Sequence, residues 1–439
     1  MSNMNAFYER LYRQNERVMK FGLDAIRTAL AREPGPVDYP HILVGGTNGK
    51  GQVSALFATA AHRAGLQTGL FTSPHLVEFR ERIRVNGRLL PDSEIVEIGQ
   101  KVLAEYGGDD VPEFCGTALT YFECCLVMAL RAFRANHVGF GVFEVGLGGR
   151  LDATNALNPS LSVITSISRD HEAYLGHELS QIAGEKAGIM RSGCPVVTGR
   201  SMAETLRVYA QQKACSSFDA LGSEFDWCLR DGRVVLECRF GQIPLRGAEM
   251  LADYQRDNAA VACFALLKAA EMGLLPPMRD IVSDVCCHTR WVGRMWPCAE
   301  SAARFGVSEI VLDGAHNPDG VRAFVDAVRK GNQPRALVVN SCADKAIGDM
   351  FPQYLQAFDS ASIFVVPVTT TARACSPKVY CQKTGLSEKQ CCDSLLEGMT
   401  RAAECVGNTG TVYISGSLYL IGEALRALDE VKSLESIEI

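Results

Sequence analysis

The stretch His41-Ile-Leu-Val-Gly-Gly-Thr-Asn-Gly-Lys-Gly-Gln52 constrains this chain more than any other. An apolar run, which should be a buried strand, ends in a glycine-rich turn carrying one lysine. A helical pattern follows from Val53 to Ala64. Strand, turn and helix in that order make a phosphate cradle. Glycines let backbone N–H groups close on the anion, the lysine adds charge, and the helix N-terminus adds its partial positive end. A bound nucleoside triphosphate is expected. The spacing departs from the usual G-x-x-x-x-G-K-[ST]. Val44 stands five residues before Gly49, and Gly51-Gln52 follow Lys50 with no hydroxyl until Ser54. A plain strand-to-helix turn is the alternative, but such a turn has no need of the lysine.

Size and charge bound the rest. A chain of 439 residues is long enough for two or three domains, each with its own core. The net charge of −6 argues against a nucleic-acid partner, because phosphate contacts need a basic surface. The first twenty residues, with Arg10, Arg13, Glu16 and Arg17, hold no apolar secretory core. No run reaches the ~18 apolar residues that cross a bilayer. A cytoplasmic protein with no membrane partner is expected. The 17 cysteines include three adjacent pairs (Cys124-Cys125, Cys286-Cys287, Cys391-Cys392) but no C-x-x-C, and adjacent cysteines suit a metal poorly. They read as reduced, mostly buried thiols acting as small hydrophobes, with a redox pair or cluster as the alternative.

Residues 6 to 31 read as a helix, closed by Pro34-Gly35-Pro36. Strand and helix patterns then alternate: strands at Ile42–Val44, Thr68–Phe71, Gly139–Val145 and Leu161–Ile167, and helices over 53–64, 119–135 and 178–190. Alternation argues for a parallel sheet with helices on both faces. Phe225–Leu229, Val234–Phe240 and Gln242–Leu245 are short strands with turns at Asp231-Gly232 and Gly241, an antiparallel elaboration. A second α/β series follows a boundary at about 292–298, with strands at Ile310–Leu312, Ala336–Val339, Ser362–Val366 and Thr411–Ile414. Two such units facing each other leave a cleft, and clefts of this kind hold ligands.

Three strand ends carry polar groups where parallel sheets bind ligands. Ser73 follows Phe71, Glu144 follows Phe143, and Asp170 and His171 follow Ile167. A hydroxyl, a carboxylate and an imidazole beside a phosphate loop suit Mg²⁺, although imidazole is an unusual ligand for it. Each has a plainer reading: Ser73 as a turn former before Pro74, Glu144 as a buried charge paired with Arg150, His171 as a helix cap. Gly146-Leu-Gly-Gly lacks the third glycine of a dinucleotide fingerprint, because Leu151 stands there. From spacing alone, Lys186 in Glu185-Lys-Ala187 is a solvated surface charge. Leu312-Asp-Gly-Ala-His-Asn-Pro-Asp319 puts Asp313 and His316 on a turn at a strand end, or is a plain polar turn.

Longer segments run in one order over nearly the whole chain. They are Lys20-Phe-Gly-Leu23, Gly46-Thr-Asn-Gly-Lys-Gly51, Thr72-Ser-Pro-His-Leu-Val77, Glu81-Arg-Ile-Arg84, Leu119-Thr-Tyr-Phe-Glu123 and Glu144-Val-Gly-Leu-Gly-Gly-Arg-Leu-Asp-Ala-Thr-Asn155. Asp170-His171 with Tyr174-Leu-Gly176 and Glu185-Lys-Ala-Gly-Ile189 follow. The second half adds Gln255, Asn258-Ala-Ala260, Gly293-Arg294, Leu312-Asp-Gly-Ala-His-Asn-Pro-Asp-Gly320, Asp344-Lys345 and Ser415-Gly-Ser-Leu-Tyr419. Together they resemble the folylpolyglutamate synthase/dihydrofolate synthase family, ATP-dependent amide ligases of the Mur-ligase type.

The resemblance implies an N-terminal P-loop ATPase domain (1–295) with a parallel sheet and the small antiparallel elaboration, then a C-terminal Rossmann-like α/β domain (296–439). It implies ATP held by Thr47, Asn48, Gly49, Lys50, Gly51, Gln52, Asn258, Arg294, Asp313 and His316. It places Mg²⁺ on Ser73, Glu144 and His171, with a monovalent cation as a further candidate cofactor. Lys186 matches a lysine that is carbamylated in this family, which reverses the reading from spacing. Thr120, Phe122, Asp152 and Ala153 match pterin-binding positions. Lys50, Lys186 and His171 are the catalytic candidates. The implied reaction adds L-glutamate to dihydropteroate, and to reduced folates, through an acyl phosphate, in a monomer with small-molecule partners only. A folylpolyglutamate synthase alone, a ligase of the same scaffold acting on another carboxylate, and a nucleotide-binding regulator are the alternatives. One position departs from the family, which mostly carries Ser or Thr after Gly51, where this chain has Gln52. The expectation is that Gln52→Ser keeps or raises ligation.

Overall fold

The computed structural model describes residues 2–13, 22–35, 37–107 and 118–438. The helix expected over 6–31 is seen as two, Ser2–Arg13 and Asp24–Arg32. Lys20 and Phe21 lie outside the described residues.

The strands in chain order are β1 (His41–Gly45), β2 (Thr68–Phe71), β3 (Ile83–Val85), β4 (Arg88–Leu89), β5 (Phe140–Glu144), β6 (Leu161–Ile164), β7 (Val196–Thr198) and β8 (Phe218–Ala220). They form one sheet in the order β4-β3-β2-β5-β1-β6-β7-β8. The pairings from β2 to β8 are parallel, whereas β3 and β4 form an antiparallel edge, which the expected all-parallel sheet lacked. β1 and β5 are buried along their whole length, which explains why both read as unbroken apolar runs. Helices Lys50–Arg63, Asp253–Glu271 and Arg279–His288 cover one face, and Tyr121–Ala135 and Leu179–Ala187 cover the other. After β1 the chain crosses toward β2, and after β6 it crosses the other way, toward β7. The crevice between the ends of β1 and β6 is therefore a switch point, the place where open α/β sheets bind ligands.

Strands β9 (Phe225–Arg230), β10 (Arg233–Cys238) and β11 (Gly241–Pro244) form the antiparallel sheet the sequence suggested. A third sheet joins β12 (Trp296–Pro297), β13 (Glu309–Asp313), β14 (Arg335–Val339), β15 (Ile363–Val365) and β16 (Thr411–Ser415) in the order β12-β13-β16-β14-β15. It is parallel except for the two-residue edge β12. Apolar clusters pack on both of its faces.

The last described residues return to the first sheet. Arg84 Nη2 donates to Leu434 O at 2.6 Å, Leu89 N–H to Glu435 O, Ile437 N–H to Gly87 O, and Arg290 N–H to Ile437 O. Leu434 is buried in the core of the third sheet and Ile437 in the core of the first. Among the described residues no disulfide is formed and no helix is long and apolar enough to cross a membrane. Of the described thiols eight are buried, Cys124 and Cys125 among them, six are half-buried, and Cys287 and Cys405 are exposed.

Candidate active site

The phosphate loop sits where β1 meets its helix. Gly46 has φ +136° and Gly49 φ +89°. A Cβ on Gly46 would lie 2.0 Å from Thr165 Oγ1, and one on Gly49 would lie 2.3 Å from Asn258 Oδ1. Backbone angle and close approach both exclude a side chain at these two positions. The loop leans on the turn after β6: Thr47 N–H donates to Ser166 O at 2.7 Å, Asn48 N–H to Ser166 Oγ at 2.9 Å, and Thr165 Oγ1 to Asn48 O at 2.6 Å. The helix opens at Lys50, so its first turn of N–H groups faces the crevice.

Two lysines meet at one carbonyl. Lys50 Nζ donates to Gly46 O at 3.2 Å and to Thr47 O at 3.1 Å, and Lys186 Nζ donates to Gly46 O at 2.8 Å. Lys186 is 4% exposed and so is no surface charge. Burial, with Lys50 beside it, lowers its ammonium to about 7. Glu144 is also enclosed. Its Oε2 accepts from Ser73 N–H at 3.1 Å, while Arg150, the partner considered for it, pairs with Glu185 at 2.9 Å. Burial pushes the Glu144 carboxyl up to about 7 against the pull of Lys50 and the Ser73 N–H. Arg294 and Arg82 pull in the same direction as Lys50, and burial outweighs all of them. A cation bound beside this carboxylate would favour its charged form. His171 caps the short helix Glu172–Leu175 by position, with φ +51°, but its side chain makes no capping bond. Burial, opposed by Asp170 and aided by Lys345, lowers its imidazole to about 4, so it carries a lone pair at neutral pH. Among the described residues no three His, Cys, Asp or Glu side chains gather as a self-sufficient metal site. One carboxylate, a hydroxyl and an imidazole fit a divalent ion that takes its other ligands from water and phosphate.

The other half closes over this loop. Asp170 accepts from Lys345 Nζ at 2.5 Å and Asn317 Nδ2 at 3.2 Å, and lies 3.6 Å from His316 Nε2. Burial would raise its carboxyl, but His316, His171 and Lys345 hold it far below the usual carboxylate range. Asn48 and Asn317 exchange amide hydrogen bonds at 3.1 and 2.9 Å. Asp313 is buried and accepts from Tyr254 OH, Met295 N–H and Ala315 N–H, each at 2.9 Å. Arg294 lies over Gly314, where a Cβ would fall 2.2 Å from its Nη1.

At the far end, Thr120 caps helix Tyr121–Ala135, and its hydroxyl and N–H both donate to the Glu123 carboxylate. Phe122 lies against Gly146, whose Cβ would be 2.6 Å from the ring. Asp152 is buried and accepts from Leu147 N–H, Thr154 N–H and Thr154 Oγ1, and Ala153 follows it. Thr120, Phe122, Asp152 and Ala153 line the same cleft as Lys50, Glu144 and Asp313, with a volume of about 1340 Å³, larger than a site for a single small ligand.

No protein-family model matches the chain. It is 31% identical over 398 residues to the folylpolyglutamate synthase of Lacticaseibacillus casei, covering 88% of this chain and 90% of that one. This chain belongs to the folylpolyglutamate synthase/dihydrofolate synthase family. The fold agrees. Escherichia coli FolC in complex with DHPP and ADP superposes with a TM-score of 0.84 at 26% identity, over 98% of both chains. The bifunctional folylpolyglutamate synthase/dihydrofolate synthase of Yersinia pestis, complexed with AMPPNP and Mn ion, superposes with a TM-score of 0.81 at 25% identity, over 97% of this chain and 98% of that one.

In this family member the residues expected at ATP, metal and pterin lie in the one cleft, from Thr47 and Lys50 through Ser73, Glu144 and His171 to Asp152. Gln52 also lines the cleft. Its Oε1 accepts from Asn258 Nδ2 at 2.9 Å. Sequence reasoning did not give Lys345, Tyr254 or His75 a role. Arg82 Nε donates to His75 Nδ1 at 2.8 Å, and burial with Arg82 nearby holds that imidazole down to about 3. A pattern that could have shown Lys186 to be buried was present: Ile182, Ala183, Lys186 and Ala187 share one face at helical spacing.

Proposed function

We propose that this chain is an ATP-dependent ligase that joins L-glutamate to dihydropteroate and to reduced folates. The observation that carries the reading is the meeting of Lys50, Lys186 and the buried Glu144 beside one loop, in a cleft shared with Phe122 and Asp152. A carboxylate cannot expel oxide. Attack of its oxygen on the γ-phosphorus, with loss of ADP, makes an acyl phosphate whose leaving group is phosphate. The glutamate amine then attacks the acyl carbon, phosphate departs, and the amine loses its proton as the amide forms.

The loop N–H groups and Lys50 bind the phosphates and neutralise charge spread over the transferring group. Ser73, Glu144 and His171 would hold Mg²⁺, which would supply further charge neutralisation. The neutral form of the buried Lys186 amine would add to CO₂ and give up a proton to solvent, and the carbamate so formed would put an anion where the ammonium stood. The Asp170–Lys345 and Asn48–Asn317 contacts keep the halves together and water away from the acyl phosphate. Asp152 and the Phe122 ring present an acceptor and a flat apolar face to the pterin.

We also infer a division into units 1–295 and 296–439, a monomer, a cytoplasmic location, and no nucleic-acid or membrane partner. The test is phosphate release from ATP with dihydropteroate plus glutamate, with reduced folates plus glutamate, and with other carboxylates. Release with both folate classes is expected. Release with reduced folates alone would reduce the activity to folylpolyglutamate synthase. Release only with an unrelated carboxylate would overturn the substrate assignment.

A further inference from the structure

Gln52 is the residue of the loop that this chemistry leaves unused. It is 7% exposed, on the first turn of helix Lys50–Arg63. Its side chain turns toward helix Asp253–Glu271. Nε2 lies 3.5 Å from Gln255 O, and Oε1 faces Asn258 Nδ2 at 2.9 Å. The two ends of each amide are told apart by chemistry. A main-chain carbonyl can only accept, so the Gln52 NH₂ faces Gln255 O and its oxygen is left for Asn258. Asn258 must then give its NH₂ to Gln52 and turn Oδ1 the other way, onto the phosphate loop. There Oδ1 is the nearest atom to the space a Gly49 side chain would fill, 2.3 Å from the would-be Cβ. Asn258 and Gln52 both line the cleft. Trp291 closes the same wall, its ring 2.4 Å from a would-be Cβ on Gly51.

We infer that Gln52 is a positioning residue for the nucleotide. By holding the Asn258 NH₂ it fixes the Asn258 oxygen on the phosphate-loop side of this cleft-lining residue, so that a hydrogen-bond donor of the ligand is what would meet it. A phosphate oxygen has no hydrogen to donate, whereas the nucleoside carries hydroxyl and amino donors. The Gln52–Asn258 pair therefore reads the nucleoside part, while the loop and Lys50 read the phosphates. A hydroxyl residue at position 52 is too short to reach Asn258, and the amide would then be free to turn. The inference rests on the nucleotide reading above, but not on the identity of the acceptor substrate.

The test is direct binding of Mg·ADP and Mg·pyrophosphate to the full chain, without turnover. The proteins are wild type, Gln52→Met, Gln52→Ser, Asn258→Ala and the Gln52→Met/Asn258→Ala double variant. Gln52→Met keeps the buried volume and removes both polar contacts. Gln52→Met and Gln52→Ser are each expected to weaken ADP about five- to tenfold, the size of one lost hydrogen bond, with pyrophosphate changed less than about twofold. For Gln52→Ser this reverses the expectation from the sequence, because the contact with Asn258 is lost. In the Asn258→Ala background Gln52→Met is expected to cost nothing more. Equal weakening of ADP and pyrophosphate, full additivity with Asn258→Ala, or unchanged ADP binding in both Gln52 variants would each overturn the inference. Wild-type protein that binds neither ligand would instead overturn the nucleotide reading itself. ADP binding with the expected pattern but no ligation would leave Gln52 in this role and remove the ligase.

Discussion

At the residue scale the site is a set of charges held out of water, and pH is the handle on them. Lys186 titrates near 7 in the fold and near 10.5 when exposed. A carbamate needs the neutral amine, so this lysine is expected to take up CO₂ close to neutral pH, where an exposed lysine is almost fully protonated. With ¹³C-labelled bicarbonate at pH 7.5, a carbamate resonance is expected in wild type and absent in Lys186→Ala. That variant should lose ligation about 10- to 100-fold, with partial rescue by acetate. Full activity of wild type without the resonance would end the carbamate reading. Glu144 moves the other way, from 4.5 to about 7 in the fold. A raised carboxyl contributes stability that is complete below pH 4.5 and lost as pH rises through 7. Without metal, Glu144→Gln is thus expected to melt above wild type at pH 8, with the gap closing toward pH 4.5. Mg·ADP should stabilise wild type more at pH 8 than at pH 6, and Glu144→Gln by the same amount at both. Equal pH dependence in the two proteins would remove Glu144 from the cation site.

At the element scale, legibility followed length. β1, β5 and β6 showed as apolar runs because both their faces are covered, and the hairpins of β9 to β11 showed through their turns. β3, β4 and β12 span three, two and two residues, too short for any period to register, so the antiparallel edges went unread. The helices expected over 53–64, 119–135 and 178–190 match Lys50–Arg63, Tyr121–Ala135 and Leu179–Ala187, whereas the one over 6–31 divides in two and Asp92–Tyr106 and Asp253–Glu271 were not expected. A cap such as Thr120 with Glu123 three residues on marks a start. That cap also bears on function. Thr120 was matched to pterin binding, yet its hydroxyl and N–H are both spent on Glu123. Thr120→Ala is expected to cost about 1 kcal/mol of stability, and Thr120→Ser very little. In steady-state kinetics Thr120→Ala should raise KM for dihydropteroate through a loosened helix start, with kcat nearly kept. A Thr120→Ser enzyme as impaired as Thr120→Ala would instead mean that the threonine methyl touches the substrate.

At the scale of the whole molecule, what the sequence hid is what joins distant segments. Asp170 and Lys345 are 175 positions apart, and Asn48 and Asn317 are 269 apart. No periodicity links such pairs, because only the folded halves bring them together. The returning tail is the plainest case. Its short run Leu434 to Ile437 carries no pattern, yet Leu434 enters one core and Ile437 the other. Arg84 depends on it. This guanidinium is 3% exposed, and its partners are the carbonyls of Leu434, Glu435 and Gly87. Burial lowers it to about 10, the direction expected of a charge paired with dipoles rather than with a carboxylate in contact. The tail therefore covers a charge, adds backbone pairing at the β3–β4 hairpin and the 289–290 segment, and fills an apolar hole. Were it only laid on the surface, Ile437→Ala would let it lift off at a cost under about 1 kcal/mol. As an integral element it should cost about 2–4 kcal/mol in denaturant unfolding, the range for a core isoleucine cut to alanine. Arg84→Ala in the same background should then cost less than it does alone, because the two act on one docking event. Fully additive losses would show that Arg84 and Ile437 hold separate parts of the molecule.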